Sequence, residues 1–332
     1  MVFLAVFGVE VPQKELSKEI IRLDSIDYKK IELILPLVDG CHLKKYLPCN
    51  PSICKIKNGY IVLCRTLNYE LYIDGNRIEY NKCSPIKTKN IAVFYDKDFN
   101  KVKQTPIMDY VPVNYFKQIG PEDCRIFKWN DEYWFVGTTY DTSMYGEMRA
   151  LLGSLKNVED GDIIEFDKLI SLASPGQAIH EKNWLPWIMN DKLLMVYSYD
   201  PFTILEVEKN GSYKIIINQN QAFNLSQFRG SAAPIPFKDG YLLMVHEVIS
   251  PRIWPFTTDM RYYHRFIYLD SELKINKISN CLTFKNEIIE YVCGMTLDHS
   301  KQKIILGLGV WDREAYLGFM DAEYVWSLLN DI

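Results

Sequence analysis

Residues 122–137 read EDCRIFKWNDEYWFVG, and the arrangement of charged, apolar and turn residues in this stretch predicts the fold. Two acids and a base, Glu122, Asp123 and Arg125, stand directly before an apolar run, and a turn at Asn130-Asp131 leads into a second run. Short runs rich in Val, Ile, Tyr, Phe and Trp around such a turn predict a β-hairpin. Charges beside a buried strand are costly unless they are paired or used. Taken alone, the motif therefore fits either an ordinary charged turn or a functional site.

The same plan recurs in four other units, in which a polar motif precedes an apolar run, a turn and a second apolar run. The units begin at Asn50, Glu181, Phe228 and Glu290, and their turns are Asn58-Gly59, Asn190-Asp191, Asp239-Gly240 and Ser300-Lys301. Segments 213–217 and 263–270 read as further strands between units. Five units of about four strands predict an all-β fold, a five-bladed β-propeller, whose central channel gathers five polar motifs. The alternative is a β-sandwich whose turns only look periodic.

Outside the repeats, helical periodicity is clear only over residues 322–329, which predict a C-terminal helix. Residues 46–332 are predicted to form a propeller catalytic domain, and residues 1–45 a short N-terminal extension packed on it. The sequence does not distinguish whether this extension closes the propeller, covers its channel or contacts another subunit, and it does not indicate the oligomeric state. Met1–Val9 is apolar but short and lacks a basic start, which favours a strand over a signal peptide or membrane anchor.

The composition narrows the class of protein. The chain has 332 residues, of which 48% are hydrophobic and 24% charged, and a net charge of −4 argues against a general nucleic-acid binder. No stretch is long and apolar enough to span a bilayer. The eight cysteines form no CxxC pair, which favours buried free thiols in a reducing compartment, so a cytoplasmic protein is expected. No zinc spacing, P-loop, GxGxxG or GxSxG occurs, and neither a metal nor another cofactor is expected.

The ordered motifs resemble those of the β-mannoside phosphorylase family (glycoside hydrolase family 130) and of related propeller mannosyltransferases. That family typically reads Glu-Asp-Pro-Arg where this chain has Glu122-Asp123-Cys124-Arg125. The similarity spans about residues 46 to 320. Its further matches are Arg65-x-x-Asn68-Tyr69, Glu181-Lys182-Asn183-Trp184, Arg229-Gly230, Tyr263-His264-Arg265 and Asp312-x-Glu314-Ala315-Tyr316. Cys124 in place of proline is expected to alter the local turn without moving the acid.

The resemblance implies inverting transfer of a mannosyl-like unit, with Asp123 as the general acid and inorganic phosphate as the attacking group. The proton can pass through a sugar hydroxyl. Glu122 would bind sugar hydroxyls or keep the Asp123 proton in place, and Arg125 would pair with one of these acids or bind an oxyanion. A carboxylic acid that works near neutral pH needs a raised pKa, which we expect the neighbouring carboxylate of Glu122 to provide for Asp123.

Further candidates follow from the same motifs. Besides Glu122 and Arg125, the residues expected to bind the sugar are Arg65, Asn68, Tyr69, Asn183, Trp184, Asp200 and Asp312. Those expected to bind phosphate or another anion are Lys182, Arg229, His246, Tyr263, His264 and Arg265, because cationic clusters and planar guanidinium groups suit phosphate. For each of them a structural role is the alternative, such as a salt bridge between blades for Arg229 or a core imidazole for His264.

The sequence therefore predicts a glycosyl-transferring enzyme, either a phosphorylase that uses inorganic phosphate or a glycosyltransferase that uses a sugar nucleotide. A hydrolase of the same fold is one alternative, in which Asp200 or Asp312 would activate water opposite Asp123. A non-catalytic propeller that binds glycans or proteins is the other, since a fold does not fix a function.

Overall fold

Short strands make up most of the described chain, as the turn-rich sequence predicts. The computed structural model describes residues 13–38, 43–74, 77–109, 118–140, 142, 146–176, 178, 180–249 and 261–332, so the predicted strand Met1–Val9 lies outside the described residues. Among the described residues, one helix is present, α1 (Ala322–Ser327), which confirms the predicted C-terminal helix. Asp321 caps it by accepting a hydrogen bond from the backbone amide of Tyr324.

The strands, in chain order, have the following bounds. The first thirteen are β1 Ile20–Arg22, β2 Asp27–Lys30, β3 Leu47–Ile56, β4 Gly59–Leu67, β5 Tyr69–Asp74, β6 Arg77–Lys82, β7 Ile86–Tyr95, β8 Lys101–Pro106, β9 Gln118–Ile119, β10 Glu122–Trp129, β11 Glu132–Thr139, β12 Arg149–Lys156 and β13 Glu165–Ser171. The others are β14 Leu185–Met189, β15 Lys192–Tyr199, β16 Phe202–Val207, β17 Tyr213–Gln219, β18 Arg229–Gly230, β19 Ile235–Phe237, β20 Gly240–Ile249, β21 Arg261–Leu269, β22 Ile275–Ser279, β23 Cys281–Thr283, β24 Glu290–Leu297, β25 Lys303–Val310, β26 Glu314–Asp321 and β27 Leu329–Asp331.

Four sheets have the arrangement of propeller blades. Their strand orders are β3-β4-β7-β8, β10-β11-β12-β13, β14-β15-β16-β17 and β24-β25-β26-β2, with the short β9 added beside β7 in the first. The second strand of a blade is buried along its length, as β4 is, because both of its faces are covered. The fourth strand is partly exposed, as β17 is. Of the two strands predicted between units, 213–217 lies within β17 and 263–270 corresponds to β21.

The predicted number of five blades is wrong. Four sheets are arranged as blades. The unit that begins at Phe228 lies instead in an eight-stranded sheet, in which β1, β23, β21, β20 and β18 are consecutive neighbours and β19, β22 and β27 pair at its sides. Strands from both ends of the described chain enlarge this sheet. β1 pairs in parallel with β23, and β27 pairs antiparallel with β22. Neither pairing leaves a local signal in the sequence.

The lead-in residues complete sheets formed by the end of the chain. β2 runs antiparallel to β26 and supplies the outer strand of the last blade. The division into an extension at 1–45 and a propeller domain at 46–332 remains a prediction. No helix of the described ranges has the length and apolar character needed to cross a membrane.

The cysteines differ in part from the sequence prediction. Cys49, Cys54, Cys64, Cys124, Cys281 and Cys293 are free, and all but Cys54 are buried. Cys83 is disulfide-bonded, and its partner lies outside the described residues. The prediction of free thiols is therefore wrong for Cys83.

Candidate active site

A polar pocket of about 220 Å³ is lined by residues from four of the larger sheets and by Lys182 and Asn183, which lie just before β14. It confirms that distant polar motifs converge, although the blade count was wrong. The predicted site residues that line it are Arg65, Tyr69, Glu122, Asp123, Lys182, Asn183, Arg229, His246 and Asp312. The other residues of its wall are Asn50, Leu71, Ile78, Tyr80, Tyr262, Ile289 and Tyr291.

Asp123 points into the pocket because its strand bulges at this position. Glu122 pairs with Thr138 and Arg125 with Val136, so two residues of β10 stand opposite Gly137 alone. The backbone of Asp123 is left-handed, with a φ of 49°. A Cβ atom on Gly137 would come within 2.9 Å of the Glu122 carbonyl oxygen and 3.0 Å of the Cys124 Sγ. Glycine opposite the bulge therefore allows the conformation that directs the Asp123 side chain.

Asp123 is held by two hydrogen-bond donors on one carboxylate oxygen. Asn50 donates from Nδ2 to Oδ1 at 2.9 Å, and Arg65 donates from Nη1 to the same oxygen at 3.0 Å. Burial alone would raise the pKa of Asp123, but the Arg65 charge and the Asn50 hydrogen bond outweigh it and hold this pKa below its ordinary value. The expected raised pKa of Asp123 is therefore wrong.

Arg65 links the two acids of the motif. It is buried, its Nη2 lies 3.5 Å from the Glu122 Oε2, and its Nε donates to the Thr88 Oγ1 at 3.0 Å. The Glu122 Oε2 also lies 3.8 Å from the Lys182 Nζ. With its donors directed at Asp123, Glu122 and Thr88, Arg65 neutralises the acids rather than offering itself to a ligand.

Asp312 is the second aspartate of the pocket, partly buried like Asp123, and its surroundings differ. Its Oδ2 accepts a hydrogen bond of 2.7 Å from the Tyr69 hydroxyl. Burial raises the pKa of Asp312, the Arg65 charge and the Tyr69 hydrogen bond oppose this effect, and the charges of Asp123 and Glu122 add to it. The net result is a pKa above the ordinary value. The backbone of Asp312 is also left-handed, with a φ of 49°.

Arg125 lies beneath the pocket and joins several elements. Its Nε donates to the Ser231 carbonyl oxygen at 2.8 Å, and its Nη1 to the Asp123 carbonyl oxygen at 3.2 Å. Its Nη2 donates to the Tyr291 hydroxyl oxygen at 2.6 Å and to the Asn183 Oδ1 at 3.3 Å. Because these acceptors use all three nitrogens, we assign Arg125 a positioning role and not the predicted role in binding an oxyanion.

Two cations that line the pocket, Lys182 and Arg229, have few partners. The Lys182 side chain is 46% exposed, and its one carboxylate contact is the long one to Glu122. Arg229 is exposed, and no carboxylate of the described chain lies within ion-pair distance of it. Groups of this kind can neutralise an anionic ligand without first losing a strong internal partner.

His246 lines the same pocket and is the cross-strand partner of Arg229. It is buried and stacks on Tyr262, with ring centroids 5.7 Å apart and an interplanar angle of 18°. Its Nδ1 lies 3.3 Å from the Ser231 Oγ. Burial, followed by His264, Arg229 and Arg125, holds the pKa of His246 well below its ordinary value. A neutral imidazole is therefore expected here, which can donate or accept one hydrogen bond at its other nitrogen.

Three predicted anion-binding residues do not line the pocket. Arg265 is buried and bonded to Glu247 at 2.6 Å, to the Ser279 carbonyl oxygen at 3.0 Å and to the Ser17 carbonyl oxygen at 2.7 Å. His264 is fully buried and accepts a hydrogen bond at Nε2 from the backbone amide of Val292. Tyr263, the third, is also buried. Their strand, β21, is buried on both faces over most of its length, so the alternative of a structural role fits all three.

Three predicted sugar-binding residues also lie elsewhere. Asn68 is buried and fixes the chain around a cis peptide bond, because it donates to the Pro85 carbonyl oxygen and accepts from the Lys87 amide. Trp184 is buried and donates to Glu181 at 3.0 Å. Asp200 lines a neighbouring pocket of about 550 Å³, which shares Lys182, Asn183 and Arg229 with the first one, and it accepts hydrogen bonds from Gln13.

Four polar residues of the pocket were missed by sequence reasoning. Asn50 begins the first repeat unit and Tyr291 is the second residue of the fifth, so their positions in the repeat were an available signal. Tyr262 and Tyr80 had no such signal, because Tyr262 lies beside the Tyr263-His264-Arg265 motif and Tyr80 lies on an inserted hairpin. In the described part of the chain, no group of three or more His, Cys, Asp or Glu side chains is placed to hold a metal ion.

The fold and pocket define a propeller whose central cavity is lined by the carboxylates of Glu122, Asp123 and Asp312 and by the cations Lys182 and Arg229. No protein-family model matches the sequence, and no curated protein matches it. Solved structures do match. The chain is similar to the β-1,2-mannobiose phosphorylase of Listeria innocua in its complex with β-1,2-mannobiose, with 14% identity, a TM-score of 0.59 and coverage of 89% of this chain and 94% of that one.

Two further structures have the same fold. One is MPT-4, a mannose phosphorylase of Leishmania mexicana in complex with phosphate, with 12% identity, a TM-score of 0.52 and coverage of 90% of each chain. The other belongs to a study of GH130 glycoside hydrolases that target β-1,2 mannosidic linkages in Candida mannan, with 12% identity, a TM-score of 0.54 and coverage of 84% and 85%. The resemblance seen in the motifs is thus confirmed at the level of the fold.

Proposed function

We propose that the protein is an inverting glycoside phosphorylase, which transfers a mannosyl-like unit between inorganic phosphate and a hydroxyl group of an acceptor sugar. The observation that carries this proposal is that one pocket combines a held carboxylate with cations that have few partners. Asp123 is held by Arg65 and Asn50, and Lys182 and Arg229 offer positive charge in the same pocket. A sugar phosphate has the matching groups, with hydroxyls at one end and a dianion at the other.

The reaction needs a proton at the bridging oxygen and a nucleophile at the anomeric carbon. In phosphorolysis a phosphate oxygen forms the new bond to the anomeric carbon while the glycosidic bond breaks on the opposite face. Asp123 gives its proton to the departing oxygen, directly or through a sugar hydroxyl. In synthesis the acceptor oxygen forms the bond to the anomeric carbon, the Asp123 carboxylate accepts the proton of that hydroxyl, and the bond from the anomeric carbon to phosphate breaks. Because Arg65 and Asn50 lower the pKa of Asp123, the free protein holds the ionised form that synthesis requires.

The remaining groups of the pocket take supporting roles in this proposal. Lys182 and Arg229 bind the phosphate, and neutral His246 adds one hydrogen bond without adding charge. Glu122, Tyr69, Asn183 and Asp312 are placed for the sugar hydroxyls. The solved structures support this choice, since two of those with the same fold are described as mannoside or mannose phosphorylases and one of them holds phosphate.

Hydrolysis is the second candidate, and Asp312 is the observation that favours it. Inverting hydrolases use two carboxyl groups, one as an acid and one as a base for water, and their pKa values must differ. Asp123 and Asp312 line one pocket and their pKa values are shifted in opposite directions. Against this candidate, a hydrolase has no need of the exposed cations Lys182 and Arg229. A sugar nucleotide as donor, as in a glycosyltransferase, would use these cations equally well.

The donor test separates these functions. Purified protein is given α-mannose 1-phosphate or GDP-mannose with a panel of mono- and disaccharide acceptors, and released phosphate and GDP are measured. Phosphate release together with a new disaccharide is the expected result. GDP release would indicate a glycosyltransferase, and release of mannose from mannosides without phosphate would indicate a hydrolase.

A matched pair of variants tests the cations of the pocket. We expect Arg229→Ala to raise the KM for inorganic phosphate about tenfold to hundredfold, since a charge-assisted hydrogen bond contributes about 1.5–3 kcal/mol. Arg22→Ala is the control. Arg22 is exposed on β1, it forms an ion pair with Asp24, and no residue of β1 lines the pocket. An unchanged KM for phosphate in the Arg229 variant would remove Arg229 from the proposed phosphate site.

Ligand binding that is retained without any turnover, in the wild type and in Asp123→Asn alike, would indicate a binding module.

A further inference from the structure

A two-stranded hairpin, β5–β6, forms one wall of the candidate active site without belonging to a blade. β5 and β6 pair only with each other among the described strands. They are inserted between β4 and β7, which are direct neighbours in the first blade. The blade is therefore complete without the hairpin, and its reason for existing has to be sought in the pocket that it lines.

The base of the hairpin is firmly anchored. The Asn68 side chain donates to the Pro85 carbonyl oxygen at 3.0 Å and accepts from the Lys87 amide at 2.6 Å. The Cys83 amide donates to the Asn68 carbonyl oxygen at 3.2 Å, and Cys83 is disulfide-bonded. Tyr69, the first residue of β5, donates its hydroxyl to Asp312. These contacts fix both strands of the hairpin against the pocket.

One face of the hairpin is directed at the pocket. Side chains alternate along a strand, and the face with Tyr69 and Leu71 on β5 and with Ile78 and Tyr80 on β6 lines the cavity. Leu71 and Tyr80 are direct cross-strand partners, and the rings of Tyr69 and Tyr80 lie 5.6 Å apart in an edge arrangement. The hairpin thus presents an apolar and aromatic wall to a cavity that is otherwise strongly polar.

Tyr80 is the least covered part of this wall. It is 55% exposed, whereas Leu71 and Tyr69 are buried. Burial raises the pKa of Tyr80, and the charges of Asp312, Lys182 and Glu122 also act on it, so the phenol lies close to the ionic groups of the site. A half-exposed aromatic ring at the mouth of a polar pocket is suited to a ligand that has one apolar face and several hydroxyl groups.

We propose that β5–β6 is the acceptor-side wall of the site and that Tyr80 stacks on the pyranose ring of the acceptor sugar. This inference rests on the proposed function, because it assigns a position to the second sugar of that reaction. The transferred unit occupies the deeper space beside Asp123 and Asp312, and the acceptor ring lies above it against Tyr80. Tyr80 is accordingly a residue that determines acceptor specificity and takes no part in proton transfer.

The test compares three variants of the hairpin. Tyr80→Ala removes the ring, Tyr80→Phe keeps it, and Tyr72→Ala removes an exposed tyrosine of the same hairpin that does not line the pocket. Acceptor KM is measured in the synthetic direction with α-mannose 1-phosphate, and disaccharide binding is measured by calorimetry with β-1,2-mannobiose. We expect Tyr80→Ala to raise the acceptor KM and the disaccharide Kd about tenfold and to leave the donor KM unchanged. Tyr80→Phe and Tyr72→Ala should remain within about twofold of the wild type.

The outcomes distinguish this inference from the proposed function. Wild-type turnover with an unchanged acceptor KM in Tyr80→Ala would overturn the stacking role and leave the phosphorylase in place. An equal loss in Tyr80→Ala and Tyr72→Ala would mean that the hairpin had been disturbed as a whole, and it would also overturn the role. Disaccharide binding that depends on Tyr80 without turnover would support the subsite and refute the phosphorylase. Absence of both binding and turnover in the wild type would overturn both proposals.

Discussion

The pocket has one wall around Asp123 and another around Asp312, and the two partly buried aspartates are surrounded differently. On the first wall, Asn50 and Arg65 both donate to the Asp123 carboxylate. On the second wall, the Tyr69 hydroxyl is the one described donor to Asp312. The pKa of Asp123 is consequently held below its ordinary value, and the pKa of Asp312 lies above it.

This contrast assigns different proton states to two residues of the same type. Where the environments of two titratable groups shift their pKa values apart, the groups are suited to different steps of proton transfer. Asp123 is ionised in the free protein and can accept a proton from an acceptor hydroxyl. Asp312 retains a proton to higher pH and can donate a hydrogen bond to a sugar oxygen when it does. The sequence indicated the opposite for Asp123, because the neighbouring Glu122 was visible and the compensating contact with Arg65 was not.

The largest expected effect distinguishes the two aspartates by activity. We expect Asp123→Asn to lower turnover about 100-fold to 10,000-fold, which is the usual contribution of general acid–base catalysis. Asp312→Asn keeps an oxygen that can accept the Tyr69 hydrogen bond, so it should lower kcat/KM about tenfold or less. Steady-state kinetics with α-mannose 1-phosphate as donor measures both variants. If Asp312→Asn were the more damaged of the two, Asp312 would have to replace Asp123 as the proton-transferring residue.

The second effect concerns stability at neutral pH. Because the folded-state pKa of Asp123 is lowered, its contribution to stability is fully present above the unfolded-state pKa and is lost as the pH falls through the folded-state value. We expect Asp123→Asn to lower the free energy of unfolding by about 1–3 kcal/mol at pH 7, because Arg65 then loses one of its two charged partners. Urea unfolding at pH 7 and at pH values below 4 measures this difference.

The deficit of Asp123→Asn should shrink as the pH falls below the ordinary value of 3.8, since the wild type then loses the same interaction. Glu206→Gln is a suitable control, because Glu206 also has a lowered pKa but contacts Lys192 and Lys214 at the surface of a blade. Surface pairs of this kind contribute little to stability. A deficit of Asp123→Asn that stayed constant with pH would argue against an ionised Asp123.

The third effect has the opposite sign. The raised pKa of Asp312 means that its ionised form costs stability at neutral pH, and that this cost disappears below the unfolded-state pKa. We therefore expect Asp312→Asn to raise the free energy of unfolding by about 1 kcal/mol at pH 7, with the gain fading as the pH approaches 3.8. The same urea series measures it. A loss of stability at pH 7 would mean that the ionised form of Asp312 is favoured by the fold.

The sequence allowed part of this site to be predicted because polar residues stood at equivalent positions of a repeat. The Glu122-Asp123-x-Arg125 motif predicted Asp123 as a pocket residue, and Lys182, Asn183 and Arg229 followed from the start of other units. Asp312 followed from the resemblance of Asp312-x-Glu314-Ala315-Tyr316 to the family and not from the start of a unit. A repeat pattern indicates the position of a residue along its strand. That position determines whether the side chain reaches the central pocket.

The rest depended on pairings between distant parts of the chain. The sequence predicts anion binding by Arg265 and His264. However, β21 lies inside an eight-stranded sheet, where both side chains are buried and do not line the pocket. The blade count was wrong for the same reason, since β1 and β27 join that sheet from the two ends of the described chain. Tyr80 was missed because the β5–β6 hairpin is an insertion that has no counterpart in the repeat.

The smallest effect tests the contact that separates the second wall from the first. Tyr69→Phe removes the hydroxyl that donates to Asp312 and leaves the ring packed against Tyr80. We expect it to lower the free energy of unfolding at pH 7 by about 0.5–1.5 kcal/mol, the usual net contribution of one hydrogen bond. Tyr72→Phe, on the exposed part of the same hairpin, should change it by no more than about 0.5 kcal/mol.

A double-mutant cycle decides whether Tyr69 acts through the charge of Asp312. If the hydroxyl stabilises mainly the ionised carboxylate, Tyr69→Phe should cost less in the Asp312→Asn background than in the wild type, because an amide oxygen is the weaker acceptor. Equal costs in both backgrounds would show that the hydroxyl supports the hairpin regardless of charge. In that case Tyr69 would not act on the charge of Asp312, and the contrast between the walls would lie in the donors Asn50 and Arg65 on Asp123 and in the charges of Asp123 and Glu122 beside Asp312.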